Sequence, residues 1–237
     1  MEIAISNGGP SVDVGVLDGT FTVGGEPETL APREHAFIAL LAVSPRPRSA
    51  ANLAEALWPE RDPEAARKCA KVYANRVRMR LGRRDAVMCG PRGYQLGIAV
   101  RADTHRIEAM IARAKTRGVL GPDRPRANDA LERLAAVAEP VRRVAELERY
   151  FARLASELAS LVFEDAWRRR DYHGAAGAGL QLAAFDPCEE LGRELVIRAQ
   201  LALGDELGAV RTYRDYARTL RDELDAEPSE RVRALIT

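Results

Sequence analysis

The segment from Asp62 to Gly82, DPEAARKCAKVYANRVRMRLG, constrains the fold most, because its apolar residues recur at helical spacing. Asp62 and Pro63 are typical of a helix N-terminus, and Gly82 is typical of a helix end. The small and apolar residues fall within an arc of about 140° on a helical wheel, and they are Ala66, Cys69, Ala70, Tyr73, Ala74, Val77 and Leu81. The sequence therefore predicts one helix with a single face directed at a protein core.

The opposite face of this helix is cationic. Residues 61–84 hold nine Lys and Arg residues against two acidic residues, a net charge of +7, whereas the whole chain of 237 residues carries +1. The simpler interpretation is a solvated face whose cations pair with nearby acids, but positions three and four residues away supply almost none. We therefore favour a surface that meets a strongly negative partner.

The side chains on this face suit base recognition as well as phosphate binding. Lysine and arginine reach phosphates and guanine edges, asparagine can pair with adenine, and an apolar side chain can contact a thymine methyl group. The residues opposite the apolar arc are Lys68, Lys71, Val72, Asn75 and Met79, with Arg67, Arg76 and Arg78 on the flanks. The mixture is typical of a helix that enters the major groove of double-stranded DNA.

The residues before this helix predict a small sheet and two helices. Alternation of apolar and polar residues predicts strands within 1–30, with turns at Asp18-Gly19 and Gly24-Gly25. A first helix begins near Pro32, and Ser49 is suited to cap a second. The cationic helix is therefore the third helix of the chain.

The residues after it predict a β-hairpin. Two β-prone runs flank a Gly-Pro-Arg-Gly turn, so we expect a hairpin at about 86–98 with Arg92 at its tip. Three helices followed by a hairpin are the order of a winged helix, in which the third helix enters the major groove and the wing reaches an adjacent backbone. Trp58 and Tyr94 could stack on bases, but we favour a role as core anchors.

The second half of the chain has a helical pattern from Thr104 onward, with a loop expected at 118–127. Asp171 and Asp205 occupy matching points of two similar segments, 34 residues apart, which is the tetratricopeptide spacing. The predicted fold is mainly α with a small β component. It comprises a winged-helix domain at 1–101 and an all-α, tetratricopeptide-like domain at 102–237.

Three tyrosines of the second half stand at repeat positions. We favour the interpretation that Tyr172, Tyr213 and Tyr216 fill the core between helices. The alternative is that they line a concave groove that binds a partner helix or peptide.

Several classes of function are not supported by the sequence. Cys69, Cys89 and Cys188 are far apart, and no His, Cys and carboxylate spacing suggests a metal site or a catalytic centre, so we expect no metal, no cofactor and no enzyme activity. No run approaches about eighteen apolar residues, and the first ten residues lack a secretory signal pattern. We expect a cytoplasmic protein that does not bind membranes.

Four segments together resemble a known family: LAPREHAFIALLAV, NLAEALWPE, ARKCAKVYANRVRMRL and GPRGYQL. They are similar to the OmpR/PhoB-type winged helix of SARP regulators (Streptomyces antibiotic regulatory proteins). The segment from Tyr150 to Ser229 resembles the bacterial transcriptional activator domain that follows it in that family. The resemblance covers about residues 12–112 and 145–236.

The resemblance implies an activator that binds direct repeats in promoter DNA, with protomers side by side and a helical domain for self-association, RNA polymerase contact or signal response. It implies base-facing positions at Lys68, Val72, Asn75 and Arg76, and phosphate or wing contacts at Arg67, Lys71, Arg78 and Arg92. The alternative function is a protein–protein interaction scaffold with a vestigial winged helix. The charge of +7 in residues 61–84 favours DNA binding over the scaffold.

Overall fold

The computed structural model describes residues 11–23 and 26–237, which are mainly helical with a small β component. The strands are β1 (Val12–Val14), β2 (Thr20–Val23), β3 (Glu26–Thr29), β4 (Val87–Gly90), β5 (Gly93–Leu96) and β6 (Val100–Ala102). The helices are α1 (Pro32–Ala42), α2 (Ala50–Leu57), α3 (Pro63–Arg80), α4 (Asp103–Arg117), α5 (Arg124–Ala135), α6 (Glu139–Arg142), α7 (Ala145–Arg168), α8 (Tyr172–Phe185), α9 (Glu190–Ala202), α10 (Glu206–Leu224) and α11 (Glu230–Arg233).

The chain forms two compact units that are interleaved in sequence. The first comprises the described residues up to Arg106 together with Ala138–Glu148. The second comprises Ile107–Val137 together with Arg149–Thr237. A winged helix therefore makes up most of the first unit, and the helical repeat lies in the second.

A four-stranded sheet of order β3-β2-β1-β6 opens the first unit. β1 is antiparallel to β2 and parallel to β6. The predicted turn at Asp18-Gly19 joins β1 to β2, and Gly19 has a φ of +77°, which a residue with a side chain rarely adopts. The turn predicted at Gly24-Gly25 lies outside the described residues.

The three helices of the winged helix begin at the residues that the sequence predicts. Pro32 is the first residue of α1. The Ser49 hydroxyl accepts a hydrogen bond from the Asn52 amide at 3.1 Å, and the Asp62 carboxylate accepts one from Glu64 at 3.0 Å. These caps satisfy N–H groups that have no partner inside the helix, so local sequence sets where α2 and α3 start.

The predicted wing is the antiparallel pair β4 and β5. The backbone of Tyr94 in β5 also exchanges two hydrogen bonds with that of Arg48, each of 2.7 Å. Arg48, two residues before the start of α2, thus extends the hairpin by one bridge. This pairing attaches the wing to the helical part of the first unit.

Residues 138–148 belong to the first unit although they follow part of the second in sequence. The Ala138 amide donates to the Leu17 carbonyl at 2.9 Å. The Arg48 guanidinium binds the Glu146 carboxylate through both of its terminal nitrogens, one at 2.8 Å. Such bidentate pairs are among the stronger ionic contacts in proteins, so this segment is held at both ends.

The second unit contains the predicted repeat. Asp171 caps α8 and accepts from the Gly174 amide at 2.9 Å, and Asp205 caps α10 and accepts from the Gly208 amide at 2.9 Å. The two repeat segments therefore begin their second helices with the same hydrogen bond. The loop predicted at 118–127 is wrong in its second half, because α5 already begins at Arg124.

The helix α5 can begin inside the predicted loop because its proline lies in the first turn. Pro125 lies in the first turn, where a backbone N–H has no helical partner, so the proline removes no hydrogen bond. Gly121 and Pro122 instead form a short 3-10 helix, Gly121–Asp123. The cluster of Gly and Pro therefore marks a helix start as well as a turn.

Two glycines of α8 have different surroundings. A Cβ atom on Gly179 would lie 2.7 Å from the Gly192 carbonyl oxygen and 2.9 Å from a methyl group of Val196. A Cβ atom on Gly177 would meet nothing within 4 Å. Of these two glycines, Gly179 is the one that the close approach of α8 and α9 requires, and Gly192 faces it from α9.

We expect Gly179→Ala to lower the free energy of unfolding by about 1–3 kcal/mol, because α9 must move to admit a methyl group. Gly177→Ala is the matched control and should raise that free energy by about 0.5–1 kcal/mol, because alanine is the better helix former. Urea unfolding of both variants measures the difference. Equal effects would contradict the packing described for Gly179.

His35 is a buried titratable residue of the first unit's core. It is 2% exposed, and its Nε2 lies 2.7 Å from the Val16 carbonyl oxygen. Because a carbonyl only accepts, Nε2 must carry the proton of a neutral ring. Burial lowers the pKa of His35 from 6.5, against the hydrogen bond to Val16 and the carboxylates of Asp18 and Asp103, which raise it.

The unfolded chain consequently binds a proton at His35 more readily than the folded chain does. The contribution of the neutral His35 ring to the free energy of unfolding is therefore fully present above about pH 6.5, the pKa in the unfolded chain, and it decreases as the pH falls below that value. We expect the melting temperature to fall less between pH 7.5 and 5.5 in His35→Gln than in the parent. His173→Gln, at an exposed position, should follow the parent. Parallel curves for His35→Gln and the parent would contradict this assignment.

Candidate nucleic-acid interface

One face of α3 is buried in the first unit. Ala66, Ala70, Ala74, Val77 and Leu81 are each at most 2% exposed. The other two members of the predicted apolar arc, Cys69 and Tyr73, are half-buried at its edge. The Tyr73 ring packs against Trp58, with ring centroids 5.1 Å apart. This packing sets the rotation of α3 about its axis.

The opposite face of α3 is exposed and carries the four predicted base-facing residues together. Lys68, Val72, Asn75 and Arg76 are all exposed, and Val72 keeps 47% of its surface accessible. Met79, one turn further along, is 82% exposed. An apolar residue left in water on a cationic helix is consistent with a surface that is covered on binding.

The cations on this face differ in their partners. Lys68 forms an exposed ion pair with Glu64 at 3.0 Å. The Arg76 guanidinium lies over the Tyr73 ring, 5.2 Å from its centroid. Within residues 11–23 and 26–237, no carboxylate forms an ion pair with Arg67, Lys71, Arg76 or Arg92. These four side chains therefore keep their charge available to an external anion.

Arg78, predicted to contact phosphate, is half-buried and hydrogen-bonded inside the protein. Its Nε donates to the Val87 carbonyl at 2.9 Å, and its Nη1 donates to Asn75 Oδ1 at 2.8 Å. It thus joins α3 to β4. The other predicted phosphate contacts, Arg67, Lys71 and Arg92, are exposed.

Trp58 and Tyr94, the aromatic residues considered for base stacking, pack inside the first unit. Trp58 is 1% exposed, so its ring is not accessible to a base. Tyr94 makes an edge contact with Phe37 at 6.4 Å between centroids, and burial together with Cys89 raises the pKa of its phenol. Tyr94 therefore anchors the wing, and Arg92 lies at the exposed tip between β4 and β5.

Two carboxylates near the exposed face of α3 were not found from the sequence. They are Glu28 of β3 and Glu34 of α1, and Glu34 pairs with Arg80 at 3.6 Å. Both line an open groove of about 780 Å³ together with Val72, Asn75, Arg76, Met79 and Arg80. No local sequence pattern links β3 to α3, so only the tertiary structure reveals that acids adjoin the predicted base-facing residues.

The tyrosines of the second unit are core or edge residues. Tyr216 is 2% exposed, its hydroxyl donates to the Cys188 carbonyl at 3.2 Å, and burial raises its pKa to about 12. Tyr213 packs against a buried cluster around Ile197, and the Tyr172 ring lies 5.1 Å from that of Trp167. Tyr216 therefore lies between the helices in the core, and Tyr172 and Tyr213 are half-buried.

The described part of the chain contains no group of three or more His, Cys, Asp and Glu side chains placed to hold a metal ion. No helix among the described residues is long and apolar enough to cross a membrane.

Comparison with known proteins identifies the second half of the chain. Residues 128–237 match the family model described as bacterial transcriptional activator domain. A search of curated protein sequences gives no match. The resemblance of the C-terminal helices to this domain is therefore confirmed.

A solved structure supports the fold of nearly the whole chain. Mycobacterium tuberculosis EmbR, determined in complex with a low affinity phosphopeptide, aligns with a TM-score of 0.63 and 24% sequence identity. The alignment covers 95% of this chain and 64% of the EmbR chain, so this chain spans less than two thirds of that length. The predicted fold class is confirmed.

The unpaired cations generate a prediction about salt. We expect Lys71→Ala to weaken binding to all duplex sequences similarly and to reduce the slope of log K against log salt concentration by about 0.9, the value for one phosphate contact. Fluorescence anisotropy over a salt series measures the slope. Arg101→Ala, at an exposed position in β6, is the control and should leave it unchanged. An unchanged slope for Lys71→Ala would remove that residue from the interface.

Proposed function

We propose that the chain is a sequence-specific DNA-binding activator of transcription, because residues 128–237 match the family model of the bacterial transcriptional activator domain. The winged helix binds promoter DNA in the cytoplasm, with α3 in the major groove and the wing on the adjacent backbone. The function requires no chemical transformation of the DNA. No catalytic role is therefore assigned to any residue.

The observation that carries the proposal is the composition of the exposed face of α3. It combines cations that lack acidic partners with Val72 and Asn75, which can read base edges. A scaffold that binds only protein does not need unpaired like charges along one helix, since they repel one another in the absence of a polyanion. DNA supplies the missing negative charge.

The roles of individual residues follow from their exposure and chemistry. Lys68, Val72, Asn75 and Arg76 face the bases, and Arg67, Lys71 and Arg92 contact phosphates. Arg76 carries the main specific contact, because a guanidinium can pair bidentately with guanine. Its position over the Tyr73 ring limits the rotamers that it must lose on binding.

The second unit supplies the partner contacts of an activator. We propose that it mediates self-association on direct repeats and contact with RNA polymerase. Stacked helix pairs of the tetratricopeptide type present extended surfaces suited to protein partners.

A pull-down of fragmented genomic DNA tests the proposal. The purified chain should enrich a small number of promoter fragments that share direct repeats, and the enrichment should survive near-physiological salt. Uniform binding that disappears with salt would reduce α3 to a generic cationic patch. The interaction scaffold would then be the better description of the protein.

We expect Arg76→Ala to lose about 1–3 kcal/mol of binding free energy at the enriched site and to relax the base preference at one position. Non-specific duplex should lose much less. Competition anisotropy with the enriched site and single-base variants measures both effects. If Arg76→Ala bound the enriched site as tightly as the parent, the placement of α3 on DNA would be refuted. Arg101→Ala again provides a control for the loss of a cation elsewhere.

A further inference from the structure

Arg78 and Asn75 are neighbours on α3 whose side chains hydrogen-bond to each other. Arg78 Nη1 lies 2.8 Å from Asn75 Oδ1, while Arg78 Nε is held by the Val87 carbonyl at 2.9 Å. Arg78 is half-buried and Asn75 is exposed. The guanidinium is thus fixed at one end by the backbone of β4 and fixes the amide of Asn75 at the other.

The chemistry of the pair determines which atom of Asn75 faces outward. A guanidinium has five N–H donors and no acceptor, so the Asn75 atom that it contacts must be the carbonyl oxygen. The amide nitrogen, with two N–H donors, then points away from Arg78. Asn75 also lines the open groove beside Val72 and Arg76.

The bases differ in what they offer to such a donor. Guanine presents two acceptors, N7 and O6, in the major groove, whereas adenine presents the N7 acceptor beside the N6 donor. Bidentate pairing with adenine would require the Asn75 oxygen to accept a second hydrogen bond, from N6, in the orientation that Arg78 already fixes. Guanine makes no such demand, because both of its acceptors pair with the amide nitrogen, so the exposed donor side of Asn75 is complementary to guanine.

We propose that Arg78 is a positioning residue that presents Asn75 to DNA as a hydrogen-bond donor, so that Asn75 selects guanine over adenine at its base pair. The proposal rests on the DNA-binding function proposed above. It gives Arg78 a role other than the phosphate contact expected from its charge, and it assigns guanine to Asn75 in place of the adenine that asparagine can pair with.

The experiment begins with selection of binding sites by the full chain from a randomised double-stranded DNA library. The position read by Asn75 is the one at which Asn75→Ala loses preference. The parent should favour guanine over adenine there by roughly 5- to 150-fold, the range of one good base contact. A parent that favours adenine at this position would overturn the proposal.

Arg78→Ala separates the two roles of the arginine. Loss of positioning should reduce the guanine-to-adenine ratio at this position at least about fivefold and leave the salt slope unchanged. A phosphate contact would do the opposite, lowering the slope by about 0.9 with the ratio intact, and would overturn the proposal. In the Asn75→Ala background, Arg78→Ala should change no base preference, whereas a change there would show that it acts on the whole helix.

Asn75→Asp provides a test that leaves Arg78 and its bond to Val87 in place, should Arg78→Ala fail to fold by circular dichroism. One aspartate oxygen replaces the amide oxygen towards Arg78, and the other replaces the donor. Preference should shift to cytosine, whose N4 donates, and retention of guanine would overturn the proposal. A parent that selects no sequence at all would instead refute the DNA-binding function itself, with no bearing on the Arg78 and Asn75 geometry.

Discussion

The first unit depends on the burial of one alanine-lined face of α3. Ala66, Ala70 and Ala74 are at most 2% exposed, and such small side chains allow α3 to lie close against its neighbours. Rotation about the axis by even one residue would carry a lysine or arginine into the core, at a cost of several kcal/mol for each unpaired charge. The buried face therefore decides which side chains remain on the outside, and the position of the candidate interface follows from core packing.

The same constraint concentrates positive charge that the folded protein must tolerate. Acidic neighbours neutralise part of it, since Lys68 pairs with Glu64 and Arg80 pairs with Glu34. Exposed pairs of this kind contribute little to stability, because water and salt screen them. Their effect is to reduce repulsion along α3 without removing the charge of Arg67 and the other unpaired cations. The remaining positive charge would still attract a polyanion to this face.

Local features of the fold were predictable from the sequence and distant ones were not. Ser49 and Asp62 accept hydrogen bonds from backbone amides two or three residues away, so the starts of α2 and α3 can be predicted from the neighbouring residues in the sequence. The Arg48–Glu146 pair joins residues that are 98 positions apart in the sequence, and no periodicity of the sequence predicts it. The same holds for Glu28, which a strand brings to the groove beside α3. Helical periodicity predicted the exposed face of α3, whereas only the tertiary structure shows which acidic residues lie beside it.

The hydrogen bonds of Arg78 show why charge alone is an incomplete guide to a DNA interface. From the sequence, the nine cations of residues 61–84 are equivalent except for their position on the wheel. In the fold, Arg78 donates to Val87 and Asn75, and Arg83 pairs with Asp85 at 2.8 Å. A donor already held by a protein acceptor must give up that bond to reach a phosphate, so its gain on binding is smaller than that of a hydrated side chain. In the proposed interface, Arg67 and Lys71 would therefore attract DNA directly, whereas Arg78 of the same helix would act through the Asn75 amide that it holds.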